Sequence, residues 1–325
     1  MSTTLAAPGP EPDAPPRGRK RSALCVLLVC LAYAGVLCWL DAGRGLFARL
    51  GELALPLLLC TVPVLASYLV RYARWAWLLR RRGHAVPWRP GLSAYLSGFA
   101  LTATPGKAGE LLRVRYFARQ GVPPERTLAV FVFERASDLA VILLLSLLAA
   151  PVFPALGVLA ALVLAVLVLV FGAAAWAPAR HALARLGARL PGRALPHLVA
   201  FAARAITELG HCLDARSLLR SLGAGLLAWG LTSAVFVLIC HAMGLTLPAG
   251  VIWGIYPLAM LIGALSFVPG GVGTTELGIV LMLQPLGVSA TDAMVVAIGV
   301  RLVTLWLAMA VGLVAVLGLE LRQRR

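Results

Sequence analysis

A helix-breaking motif occurs twice in this chain. The first copy is Thr104-Pro-Gly-Lys-Ala-Gly-Glu110 and the second is Val268-Pro-Gly-Gly-Val-Gly-Thr-Thr-Glu276. In both, a Gly-Val pair follows the glutamate by eleven residues, as Gly121-Val122 and Gly287-Val288. In both, an arginine lies fourteen residues beyond that glycine, as Arg135 and Arg301. A fixed spacing kept over some thirty residues marks an internal repeat. It restricts the fold to one built from two related halves, about 87–150 and 245–318.

The repeat sits in an apolar chain. Of 325 residues, 61% are hydrophobic and 13% charged, against about 25% charged in soluble domains. Long apolar runs read as membrane spans. The expected fold is an all-α polytopic membrane bundle, and paired halves of this kind are a feature of transporters. The net charge of +16 does not point to nucleic acid. The arginines cluster beside apolar runs, and no basic face with interleaved aromatics is seen.

Taken in order, residues 1–21 form a Pro-, Ala- and Gly-rich tail expected to be disordered. An apolar run over 23–40 follows. It reads as a first span, with a signal peptide as the rival reading. A second span covers roughly 52–70 and is expected to end where Arg71, Arg74 and Arg80 to Arg82 begin. The fourteen residues between Pro90 and Pro105 are short for a crossing, and are expected to dip in and return as a re-entrant segment ended by Pro105-Gly106. Spans are expected at 127–149, 155–176, 221–243 and 291–317, with a basic, surface-lying loop at 177–220. The second copy forms its own hairpin, 249–268 and 277–286, broken at Pro269-Gly270.

Charge asymmetry orients these spans. Placing Arg44 and Arg49 outside, and Arg135 and Arg301 within the membrane, leaves 25 of the 29 lysines and arginines on the cytoplasmic side. Both termini, including the basic tail 319–325, are then cytoplasmic, in a multi-pass protein of the cell membrane. Three spans separate the repeats, so the halves are inverted relative to one another. If both hairpins cross fully, the count rises to about ten spans and the inversion survives.

Glu110, Glu134, Arg135, Asp138, Glu276 and Arg301 fall at or near membrane depth. Each such charge costs roughly 2.5–3.5 kcal/mol on insertion scales, so it should face the bundle interior. Glu134, Arg135 and Asp138 share one helical face and read either as an internal salt bridge or as a binding group. Arg301 has no such neighbours on its own helix, which makes Glu276 its candidate partner and an anionic headgroup the alternative. The Pro-Gly breaks leave backbone groups unpaired, which is tolerated only where they are buried in protein or line a wet cavity. They mark either an interface site or a tight turn at the membrane boundary.

The six cysteines form no CxxC, the five histidines share no ligand spacing, and asparagine is absent. No Walker loop, dinucleotide fingerprint or nucleophile elbow is present. No cofactor and no metal are expected.

With these residues in hand, the chain resembles the flippase-like family related to the transmembrane region of lysylphosphatidylglycerol synthase. The resemblance rests on Thr104 to Arg113, Gly121-Val-Pro123, Glu134-Arg-Ala-Ser-Asp138 and Phe267 to Glu276, and runs from about 22 to 318. It implies the handling of lipids such as aminoacylated phosphatidylglycerol or polyprenyl-linked lipids. Members with lysyl transferase activity carry a large soluble C-terminal domain that this sequence does not show, so lysyl transfer is not expected. The expected function is a lipid translocase whose substrate-binding residues are Glu110, Arg135, Glu276, Arg301, Lys107, Glu134 and Asp138. Its partners are membrane lipids and, in one alternative, a lipid-modifying enzyme. The other alternative is a membrane glycosyl- or acyltransferase using Glu110 or Glu276 as base.

Overall fold

The computed structural model describes residues 45–104, 109–153, 156–176 and 194–322, with isolated positions at 35, 41, 178 and 185. Residues 1–34, the expected first span and the break residues Pro105, Gly106 and Lys107 lie outside the described residues, as does most of 177–193. All regular structure among the described residues is helical.

A short helix α1 (Leu46–Glu52) leads into α2 (Ala54–Arg81). The first half continues with α3 (Trp88–Ser97), a 3-10 turn (Gly98–Leu101), α4 (Leu112–Ala118) and α5 (Pro124–Ser146). Then come α6 (Leu156–Ala175), α7 (Ala194–Gly210) and α8 (Ala215–Ala242). The second half is α9 (Ala249–Leu265), α10 (Thr274–Leu283) and α11 (Ala290–Arg322). By length and composition α2, α6, α8 and α11 are able to cross a membrane. The protein is therefore an integral membrane protein.

α2 departs from the expectation. It does not stop near residue 70 but runs 28 residues to Arg81, about 42 Å at 1.5 Å per residue. Arg71 and Arg74, expected in a loop, are buried inside it. They stay helical at that depth because acidic partners wait on α5, so the apolar run alone did not mark the helix end. Local chemistry fixes other boundaries. Asp214 caps α8 by accepting from Ser217 N at 3.0 Å, and Ser289 caps α11 by accepting from Asp292 N at 3.1 Å.

The repeat is visible in the backbone. Gly121 and Gly287 take left-handed φ of 79° and 86°. The valine after each donates back across the turn, Val122 to Phe117 O at 3.1 Å and Val288 to Leu283 O at 3.3 Å. Both valines are buried. This is the helix-ending turn in which a C′ glycine accepts a φ that other residues resist.

The halves pack reciprocally. α5, the last helix of the first half, lies against α9, the first helix of the second. α11, the last helix of the second half, lies against α3 and its 3-10 extension. Gly254 on α9 meets Ala149, and Gly312 on α11 meets Phe99 and Ala100, so closely that a Cβ on either would strike backbone. α2 and α8 form the most extensive helix pair and bridge the halves. α7 packs on α5 and α6. The apolar residues of α6, including Val158, Leu164 and Leu169, remain exposed, as suits a surface facing hydrocarbon.

Candidate functional site

Two ion-pair clusters occupy the middle of the bundle. In the first half, α5 supplies Glu134, Arg135 and Asp138. These three meet Arg71 and Arg74 from α2, together with Glu110 just before α4 and Arg113 in its first turn. Arg74 Nη2 donates to Glu134 Oε1 at 3.0 Å and to Asp138 Oδ1 at 2.8 Å. Arg71 Nη1 donates to Asp138 Oδ2 at 2.8 Å. Arg113 bridges Glu134 and Glu110, each at 3.2 Å. Tyr95 O–H donates to Glu134 Oε1 at 2.7 Å. Apart from Arg135, these charged side chains are buried.

Arg135 is held more loosely than the others. Its Nη1 lies 3.6 Å from Glu110, and its Nη2 lies 3.3 Å from Glu134 and 3.1 Å from Asp138. Those are ion-pair distances, yet neither Nε nor Nη2 has an aligned hydrogen bond. Its side chain keeps 21% of its surface exposed, whereas Arg113 keeps none. The pairs within α5 are thus one part of a cluster that spans three elements.

The second half is sparer. Arg301 Nε donates to Glu276 Oε1 at 3.1 Å, and Arg301 Nη2 donates to Gly270 O. Glu276 Oε2 accepts from Gly273 N at 2.8 Å. The break at Pro269-Gly270 leaves a carbonyl and an amide that no helix satisfies. Arg301 takes the carbonyl and Glu276 the amide, and a carboxylate at the N-terminus of α10 is also favoured by the helix dipole. A π-helical turn, Leu302–Trp306, follows Arg301 directly. Thr304 in that turn accepts from Tyr256 O–H at its own hydroxyl, 3.1 Å away, and from Tyr68 O–H at its carbonyl, 3.3 Å away. Such bulges are frequent at functional sites. α5 has no counterpart and stays α-helical throughout.

Both clusters open onto one cavity of about 100 Å³. Glu110 and Arg135 line it from the first half, Arg301, Gly270 and Tyr256 from the second, and Arg71 from α2. A second cavity of about 330 Å³ adjoins it. Arg135, Trp229, Met260 and Gly270 line both. The larger one is mainly apolar, walled by Phe131, Leu139, Ile142, Ala264 and Phe267 among others. Among the described residues no group of acidic, His or Cys side chains is arranged to hold a metal.

Residues 23–312 match the family described as the lysylphosphatidylglycerol synthase TM region. The chain belongs to that family. The match covers the first half of the repeat, the second as far as residue 312, and both clusters, and identifies an integral membrane protein of a lipid-handling family. No curated protein matches the chain.

Among the residues singled out in the sequence, Glu110, Glu134, Arg135 and Asp138 come together in one cluster, and Glu276, Arg301 and Gly270 in the other. Sequence reasoning missed Arg71, Arg74, Arg113 and Tyr95. Arg71 and Arg74 were read as members of the basic run that follows α2. Their three-residue spacing, matching one face of a continuing helix, was the available signal.

Proposed function

We propose that this protein translocates an anionic phospholipid, with the headgroup phosphate bound in the cavity between the halves. One observation carries this reading. The two copies of the repeat each contribute a Glu–Arg pair, and both arginines line the same cavity. The charge balance supports it. Arg71, Arg74, Arg113, Arg135 and Arg301 face Glu110, Glu134, Asp138 and Glu276. That is five cations against four anions among the described cluster residues, an excess of one positive charge in a poorly solvated place. An excess buried charge is costly unless a counter-charge arrives, and a phosphodiester supplies one. Arg135, the least tightly bonded of the five, is the group with donors to spare.

In this reading the halves are inverted across the membrane, each break forms a re-entrant hairpin, and the termini face the cytoplasm. The same pair of arginines is then presented alternately to each leaflet. A guanidinium suits the task because its planar fork binds phosphate oxygens in pairs. Glu110 and Glu276 hold the arginines in place when the site is empty.

The test is translocation of a fluorescent phosphatidylglycerol in proteoliposomes, read by chemical quenching of the outer leaflet. The wild-type chain should move the lipid faster than protein-free liposomes. Arg301→Ala and Arg135→Ala should abolish movement while the proteins still fold. Movement at the protein-free rate would overturn the reading, as would normal movement by folded Arg301→Ala. Incorporation of a labelled sugar or acyl donor into lipid would favour a transferase instead.

A further inference from the structure

The larger cavity has a chemical character of its own. It is walled mostly by apolar side chains, yet several hydrogen-bond donors around it are unused. Thr275 is fully buried and lines this cavity, and its Oγ1 has no hydrogen-bond partner among the described residues. Trp229 lines both cavities, and its Nε1–H has no acceptor among the described residues. Arg135, also shared, has its Nε–H without a partner among the described residues, while its Nη atoms sit at ion-pair distance from carboxylates. Buried donors left unpaired are uncommon in folded proteins, and each asks for an explanation.

Several acceptors in the same wall are occupied. Asp138 already takes hydrogen bonds from Arg71 and Arg74. Gly270 O takes Arg301, Val268 O takes Gly271 N–H, and Gly263 O and Gly271 O take the hydroxyls of Ser266 and Thr274. The wall therefore offers two donors, Trp229 Nε1–H and Arg135 Nε–H, and a Thr275 hydroxyl able to donate or accept, against backbone acceptors that are largely taken. A polyol needs both, since every hydroxyl carries a proton to place. A carbonyl oxygen only accepts. Phe267 lines this cavity and is 73% exposed, so the cavity reaches the outer surface of the bundle at that residue.

The geometry points to the larger cavity as a subsite for the ester carbonyls of a diacylglycerol lipid, with the acyl chains leaving past Phe267. This rests on the proposed function, with the phosphate in the smaller cavity, and it narrows the substrate class. Ester-linked glycerophospholipids fill both cavities. Polyprenyl phosphates, which have no carbonyl, fill only the first.

The test is binding to the purified full-length protein in detergent, with three probes: dioctanoyl phosphatidylglycerol, its ether-linked counterpart, and farnesyl phosphate. The wild type should bind the ester lipid about tenfold more tightly than the ether lipid, on the scale of one buried hydrogen bond. Thr275→Val should reduce that preference severalfold and leave ether-lipid affinity unchanged. Thr275→Ser, which keeps the hydroxyl, should retain it. Equal binding of ester and ether lipids by the wild type would overturn the assignment, and so would an undiminished preference in Thr275→Val. Ester preference without translocation would overturn the transport reading and leave this subsite standing. Translocation without ester preference would do the reverse.

Discussion

Glu276 on α10, which follows the break, and Arg301 on α11, 25 residues on in sequence, meet at 3.1 Å. Glu110 and Arg135 have the same separation (135 − 110 = 25) and lie 3.6 Å apart. The spacing seen twice in the sequence thus returns as the same ion pair in each half. The two pairs differ in setting. Glu276 and Arg301 also bond the backbone of their break, whereas Glu110 and Arg135 join a larger network.

That difference yields a prediction about Glu276. Glu276→Ala removes the acceptor for Gly273 N–H and leaves Arg301 without its carboxylate. Loss of one partner from a buried pair costs about 3–5 kcal/mol. Glu276→Gln keeps an oxygen for Gly273 N–H and should cost clearly less. Thermal unfolding in detergent should rank the wild type above Gln and Gln above Ala; equal melting of all three would show that Glu276 does not brace the break.

Arg71 and Arg74 should respond differently to truncation. Arg74 bonds Glu134, Asp138 and Ser221 O, and it is almost fully buried. Arg74→Ala should therefore destabilise by about 3–5 kcal/mol. Arg71 bonds Asp138, which keeps Arg74 and Arg135, and Arg71 faces the cavity over the Trp229 ring. Arg71→Ala should fold and bind anionic lipid about tenfold more weakly. Unfolding curves beside lipid titrations separate the two outcomes, and a folded Arg74→Ala of wild-type stability would count against the network.

The repeat glycines give a matched pair. Nothing lies within 4 Å of a Cβ built on Gly121 or Gly287, so alanine there meets only the left-handed backbone, at about 1–2 kcal/mol. Gly121→Ala and Gly287→Ala should lower stability by similar amounts. A loss in one and none in the other would mean that the two turns are not equivalent.

Stability should also depend on pH, through a cluster beside the end of α2. Burial and the neighbouring Arg126 lower the His84 pKa from its usual 6.5, against a smaller opposing effect of Glu208. Burial alone would raise the Glu208 carboxyl, but hydrogen bonds from Arg126 and Arg82 outweigh it and hold the group below 4.5. Both folded values are depressed, so the stabilisation is present above the ordinary values and is lost as pH falls through the folded ones. Melting temperature in detergent should decline as pH drops below about 6.5 and decline further below about 4.5. His84→Gln, which can still accept from Arg126, should flatten the upper part of that decline. An unchanged profile would remove His84 from the effect.

The helical membrane setting was legible from long apolar runs, and the Glu276–Arg301 pair because Arg301 has no acidic partner on its own helix. The arginines of α2 were not. In a one-dimensional reading a charge after an apolar run marks the membrane edge, and only the acidic face of α5 reverses that meaning for Arg71 and Arg74. Arg113 was hidden in the same way. It sits in a basic stretch, but stacks 4.3 Å over Tyr95 and is fully buried. Tyr95 gave no signal, since a tyrosine in an apolar segment is ordinarily a packing residue. The satisfied carbonyl of the second break was unreadable too, because it depends on Arg301, 31 residues away.

The bond between Arg74 and Glu134 also sets an order of events during synthesis. The two residues are 60 positions apart. At 5–20 residues per second, α2 leaves the ribosome roughly 3–12 s before α5 can neutralise it. For that interval the buried Arg71 and Arg74 of α2 lack their acidic partners on α5. α2 must therefore wait at the membrane surface or beside the insertion machinery until α5 arrives, and the two enter as a pair. Biogenesis of the first half is then a joint step, and a chain truncated between residues 81 and 124 should leave α2 only partly inserted.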